Sequence, residues 1–126
     1  MREIKFRAWN NVNARYYQNA QDTYDETIGD GFQDILRNEN LVVEQFTALK
    51  DKNGVDIYEG DIVFAKSIMM KDSTGPVVYV KESAGFYIDG SKDLMDIPKP
   101  LGVTREPLFS YEVLGNVHEN PELLQE

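Results

Sequence analysis

Apolar and polar residues alternate along Arg2–Trp9, with Ile4, Phe6 and Ala8 on one side and Glu3, Lys5 and Arg7 on the other. A period of two over that span predicts a half-buried strand with a basic outer face. Asn10, Asn11 and Asn13 then supply a turn, and Arg15–Gln18 returns as a second strand, closing a short hairpin. Asn19–Gly31 is polar and acidic, lacks periodicity and reads as a loop. Phe32, Ile35 and Leu36 stand at i, i+3 and i+4, which predicts a short helix from Gly31 to Arg37. So short a helix persists only when packed on something.

Leu41–Leu49 and Val55–Tyr58 read as strands joined by Asp51-Lys52-Asn53-Gly54. This is a strong hairpin signal, for which a type I′ turn with positive φ at both central residues is expected. Gly60-Asp61 redirects the chain before a strand at Ile62–Lys66. Ser73–Pro76 reads as a turn, Val77–Lys81 as a strand, and Ser83-Ala84-Gly85 as a turn into Phe86–Asp89, which Gly90 ends. Ser91–Pro107 holds three prolines and reads as a long connection, with one helical turn capped by Ser91 and running through Leu94 and Met95. Phe109–Leu114 is the last strand. Asn120 suits a helix N-cap and Pro121 the first helical position, with Leu123 and Leu124 docking that helix on the body.

Short strands recurring every 8–12 residues between glycine turns predict a mainly β chain, a small barrel or sandwich, with five or six barrel strands from Leu41 onward. The expected division is one domain, 1–126. In it an N-terminal hairpin, loop and short helix (1–40) either pack against a barrel-like part (41–126) or form a small lobe of their own, and the barrel-like part ends in a short C-terminal helix. The length of 126 residues supports such a core without staples.

Charge and composition narrow the partners. The net charge of −9 is uneven: residues 1–17 carry +3, residues 18–62 carry −8 and residues 63–126 carry −4. A surface so acidic repels phosphate backbones, which disfavours nucleic acid, although a local basic strip could still bind. There is no cysteine, so disulfides and thiolate chemistry are excluded, and there is one histidine, His118. No run approaches the roughly 20 apolar residues of a membrane helix, and no apolar signal core follows the first residues. A cytoplasmic protein without membrane contact is expected.

Few residues stand in a pattern that carries chemistry. Asp51, Asn53, Asp56, Glu59 and Asp61 invite a calcium loop, but the sixth and twelfth positions counted from Asp51 are Asp56 and Ile62 where glycine and a carboxylate are needed. Gly85–Ser91 spaces two glycines like a phosphate loop but lacks the lysine directly after the second. Lys81–Ile88 faintly matches an aromatic RNA-reading strand, and core packing explains its rings equally well. No nucleophile elbow is present, and carboxylates such as Asp51, Glu59 and Asp61 offer an enzyme reading without a motif. No cofactor or metal site is expected. The cluster that stands out is Trp9, Tyr16 and Tyr17 near Arg7 and Arg15, where arginines and aromatics of the kind that anchor interfaces gather in the basic segment, and the candidate interaction surface is Arg7, Trp9, Arg15 and Tyr17. The competing reading is that Trp9 closes the core at a strand end.

Three segments resemble the YopX family of phage and prophage proteins from Gram-positive bacteria. They are REIKFRAWN at Arg2–Asn10, FTALKDKNGVDIYEGDIV at Phe46–Val63, and VLGNVHENPELL at Val113–Leu124. Ala48 stands where glycine is usual, and His118 where tyrosine is usual, which argues against an essential acid or base at that position. The resemblance implies an SH3-type small barrel with an added N-terminal part and no established activity. Its signature residues Asp51, Asn53, Gly54, Tyr58, Gly60, Asp61, Gly115, Asn116, Asn120 and Pro121 are expected to shape turns rather than perform chemistry. The resulting expectation is a phage-derived accessory protein of the host cytoplasm. It would act by binding a host or phage protein, or as a homo-oligomer, with a nucleic-acid module and a carboxylate enzyme as alternatives.

Overall fold

A computed structural model describes residues 3–22, 31–67, 72–82, 84–89, 99–100 and 109–124. The chain is mainly β, and its strands form two antiparallel-paired sheets, one of four strands and one of five. Contacts group into two units, Met1–Ala48 and Leu49–Glu126. The division between them falls inside the strand Leu41–Lys50, eight residues after position 40, where the N-terminal part was expected to end. Residues 41–48 of that strand belong to the N-terminal unit, in which residues 41–45 pair with residues 6–10.

In the first unit β1 (Phe6–Asn10) lies between β2 (Arg15–Tyr17) and β3 (Leu41–Lys50). A central strand is covered on both edges, which is why β1 carries three consecutive buried residues, Arg7, Ala8 and Trp9, rather than one wet face. The face of Phe6 and Ala8 is closed by a 3-10 turn at Ala20–Asp22 and by α1 (Phe32–Arg37). Ala20 is fully buried, the Phe6 and Phe32 rings lie 4.9 Å apart, and Gln21 Oε1 accepts the Phe6 N–H at 2.7 Å. The expected helix is present. Asp34 accepts the Gly31 N–H at 3.1 Å, satisfying one donor at its start.

The second unit contains the end of β3, then β4 (Asp56–Tyr58), β5 (Asp61–Ser67), β6 (Ser73–Val80), β7 (Gly85–Ile88), β8 (Lys99–Pro100) and β9 (Phe109–Asn116). Strands β5 to β9 form one sheet in the order β8-β7-β6-β5-β9. Its core is Ile57, Val63, Val77, Ile88 and Tyr111, with Leu49, Ala65, Phe86 and Val113 packed against it. Between the pairs Ile62–Gly115 and Val63–Val113, Leu114 is an extra residue, a bulge that bends β9.

Several expectations change here. Ser73–Pro76 is the first half of β6, not a turn. Pro76 is tolerated because it sits where β6 changes partner, from β5 (Ser73–Pro76) to β7 (Val77–Val80), so the join absorbs the missing N–H. The C-terminal helix is a 3-10 turn at Pro121–Leu124, and Leu123 and Leu124 are exposed rather than docked. Lys99–Pro100, placed in a structureless connection by its prolines, is an edge strand beside β7. The helical turn at Ser91–Met95 lies outside the described residues.

Ala48 has φ +72° near the end of β3 and is exposed. A left-handed residue with a Cβ costs about 1–2 kcal/mol, part of which glycine returns as unfolded-state entropy. Ala48→Gly is therefore expected to stabilise the protein by about 0.5–1 kcal/mol, measured by urea unfolding.

Candidate interaction surface

Alternation along β1 places Arg7 and Trp9 on one face of the first sheet. Register then sets what they meet: Arg7 lies opposite Glu44 of β3, and Trp9 lies opposite Tyr16 of β2. Arg7 Nε donates to Glu44 Oε1 at 2.9 Å, the Tyr16 hydroxyl donates to the same oxygen at 2.9 Å, and the Arg7 guanidinium lies 4.3 Å from the Tyr16 ring centre. Trp9 meets Tyr16 edge to face at 5.1 Å. Arg7 and Glu44 are 7% and 4% exposed, so this is a buried ion pair with an aromatic lid, not a surface. Such a pair is held by good geometry, because each charge pays a desolvation cost that only its partner offsets.

Arg15 and Tyr17 lie on the opposite face. Their partners in the ladder are Asn10 and Ala8, and both side chains are exposed. The Tyr17 hydroxyl accepts hydrogen bonds from Asn13 Nδ2 at 2.8 Å and Arg15 Nε at 3.4 Å, and the Arg15 guanidinium lies 5.1 Å from its ring centre. The Asn13 bond, then the Arg15 bond, hold the phenol below its ordinary pKa of 10.0. The four-residue patch expected from sequence is thus divided: Arg7 and Trp9 are internal, and Arg15 and Tyr17 remain available. The outward basic face expected for β1 is corrected at Arg7 for the same reason. Sequence reasoning missed Glu44, the carboxylate that Arg7 and Tyr16 share. A lone carboxylate within LVVEQF was the available signal, since a charge in an apolar strand requires a partner.

Asp51 is the organising residue of the β3–β4 turn. Its Oδ1 accepts the N–H groups of Asn53 (2.8 Å) and Val55 (2.9 Å), and its Oδ2 accepts that of Val113 (2.9 Å). Burial alone would raise its pKa. The bonds from Val113, Val55 and Asn53 outweigh that effect, and with the charge of Lys52 they hold it below 3.8. Gly54 has φ +82° and Asn53 does not have a positive φ, so the expected type I′ turn is replaced by a three-residue loop closed by Asp51 N–H to Val55 C=O.

The remaining signature residues also shape turns. Gly60 takes φ +82°, and Asp61 Oδ2 accepts the Tyr58 N–H at 2.8 Å, which turns β4 into β5. Asn116 Oδ1 accepts the N–H groups of His118 and Glu119, and Asn120 Oδ1 accepts that of Asn116 rather than capping a helix that starts at Pro121. A Cβ on Gly115 would come within 2.5 Å of that oxygen, so only glycine admits the contact.

With this geometry in place, three comparisons bear on relationship. The family model described as YopX protein matches residues 5–125. The crystal structure of protein EF1440 from Enterococcus faecalis is similar to this chain with a TM-score of 0.63 and 26% sequence identity, over 99% of this chain and 100% of that one. No curated protein matches.

Proposed function

Because the chain belongs to the YopX family, we propose that it is a phage-derived accessory protein of the bacterial cytoplasm that acts by binding another protein or a further copy of itself rather than by catalysis. The observation that carries this reading is the Arg15–Tyr17 pair. An exposed tyrosine clamped between Asn13 and Arg15 is already ordered, so a partner immobilises little on contact, and tyrosine and arginine are the usual anchors of protein interfaces. The −9 charge favours a protein partner over a phosphate backbone. The bulge at Leu114 of β9 and the pairing of β5 with both β6 and β9 support an SH3-type barrel for the second unit.

The test is affinity capture from phage-infected host cells, together with light scattering of the purified protein. Arg15→Ala with Tyr17→Ala is expected to lose the captured partner or the self-association while the melting temperature stays within a few degrees, since both side chains are exposed. Retention of every partner and of the assembly state by the double variant would dismiss this surface. Binding of single-stranded DNA at low salt would favour a nucleic-acid module instead.

A further inference from the structure

Among the described residues β9 is an edge strand of eight residues, rich in apolar and aromatic side chains, and such an edge is a template for pairing with another chain. The opposite edge of the same sheet is β8, where Lys99 and Pro100 are residues that discourage strand addition. β9 has neither lysine nor proline, and its one charged residue is Glu112. Two of its backbone groups that turn away from β5 are instead occupied by the β3–β4 turn: Lys52 donates its N–H to the Tyr111 carbonyl at 2.9 Å, and the Val113 N–H goes to Asp51 Oδ2 at 2.9 Å. Lys52 Nζ also stands 3.5 Å from Glu112 Oε2. The Asp51 carboxylate oxygen thus sits where the carbonyl of a neighbouring strand would be, and Asp51–Lys52 imitates one rung of a ladder.

We infer that β9 is a self-complementary edge for a second copy of this chain, held closed by Asp51 and Lys52. The occupied groups decide the occupant. In an antiparallel pair centred on Glu112, the Tyr111 carbonyl of each copy accepts the Val113 N–H of the other, so the acceptor and donor now taken by the turn are those a twofold pair requires. Glu112 then faces its own copy across a non-hydrogen-bonded position, where like charges repel, so it supplements the guard. This edge is separate from the Arg15–Tyr17 surface, and a result at one leaves the other standing.

The chain has no cysteine, so one can be placed at will. Glu112→Cys removes the repulsion and puts two thiols opposite each other at a non-hydrogen-bonded pair, where Cβ separations suit a disulfide. With Asp51→Asn added, which leaves an amide N–H in place of one acceptor, disulfide-linked dimer is expected to form several-fold faster than in Glu112→Cys alone, on non-reducing gels under mild oxidation. Lys52→Pro is the gentler second variant: it deletes the donor to Tyr111 while proline suits the position after Asp51 in the turn, and a smaller acceleration is expected. Should Asp51→Asn not fold, Lys52→Pro decides alone. Equal dimer rates with and without the guard substitution overturn the inference. So does an equal acceleration of cross-linking through Tyr79→Cys, exposed on β6, because that reports general loosening rather than an opened β9 edge.

Discussion

Glu44→Ala is expected to cost about 3–5 kcal/mol of stability, because it leaves the Arg7 guanidinium buried without its carboxylate. In a protein with about 5–15 kcal/mol in hand, that is a large share of the total, and the melting temperature should fall by roughly 10–20 °C. The same reasoning predicts that the pair can be removed more cheaply than it can be broken. Arg7→Met with Glu44→Leu replaces both charges by apolar side chains of similar length, so neither desolvation cost remains. The Tyr16 hydroxyl, which donates to Glu44 Oε1 at 2.9 Å, limits the recovery, and adding Tyr16→Phe should restore more of it. Urea unfolding of the two single variants and the double variant forms a cycle. A double variant as unstable as the sum of its singles would show that Arg7 and Glu44 act independently.

The same cluster shows what could be read from the sequence and what could not. β1, β2, the short helix and most later strands were legible because period-two and i, i+3, i+4 patterns survive in the residues that build them. The site was not legible to the same degree, because its composition is set by register. Arg15 and Tyr17 are close to Arg7 and Trp9 in sequence and share their chemistry, yet ladder pairing opposite Asn10 and Ala8 puts them on the other face. Glu44, thirty-seven residues from Arg7, becomes its partner only when β3 pairs with β1. Pro76 misled for a different reason: a turn residue was read from local propensity, whereas the change of partner along β6 makes its missing N–H harmless. Ala48 was read as a lost glycine, and its positive φ gives that departure a physical cost.

Asp51→Ala is expected to cost about 3–4 kcal/mol, since three backbone N–H groups lose a charged acceptor in one step and such bonds are individually worth about 1.5–3 kcal/mol but not additive. Asp51→Asn keeps one carbonyl oxygen for the Asn53 and Val55 N–H groups and loses the Val113 bond, so it should cost less, about 2 kcal/mol. The pH dependence separates this role from mere packing. The pKa of Asp51 is lower in the folded protein than its ordinary value of 3.8, so the unfolded chain binds the proton more readily. Its contribution is therefore complete above the unfolded pKa and is lost as pH falls through the folded one. Between neutral pH and pH 5 the stability gap between wild type and Asp51→Asn should stay constant. Below about pH 4 it should narrow, because the wild-type carboxylate protonates and the variant has nothing there to titrate. A gap that stayed level down to the acid unfolding of the wild type would mean that the three N–H groups do not depend on the charge. The Asp51 turn would then be held by shape alone.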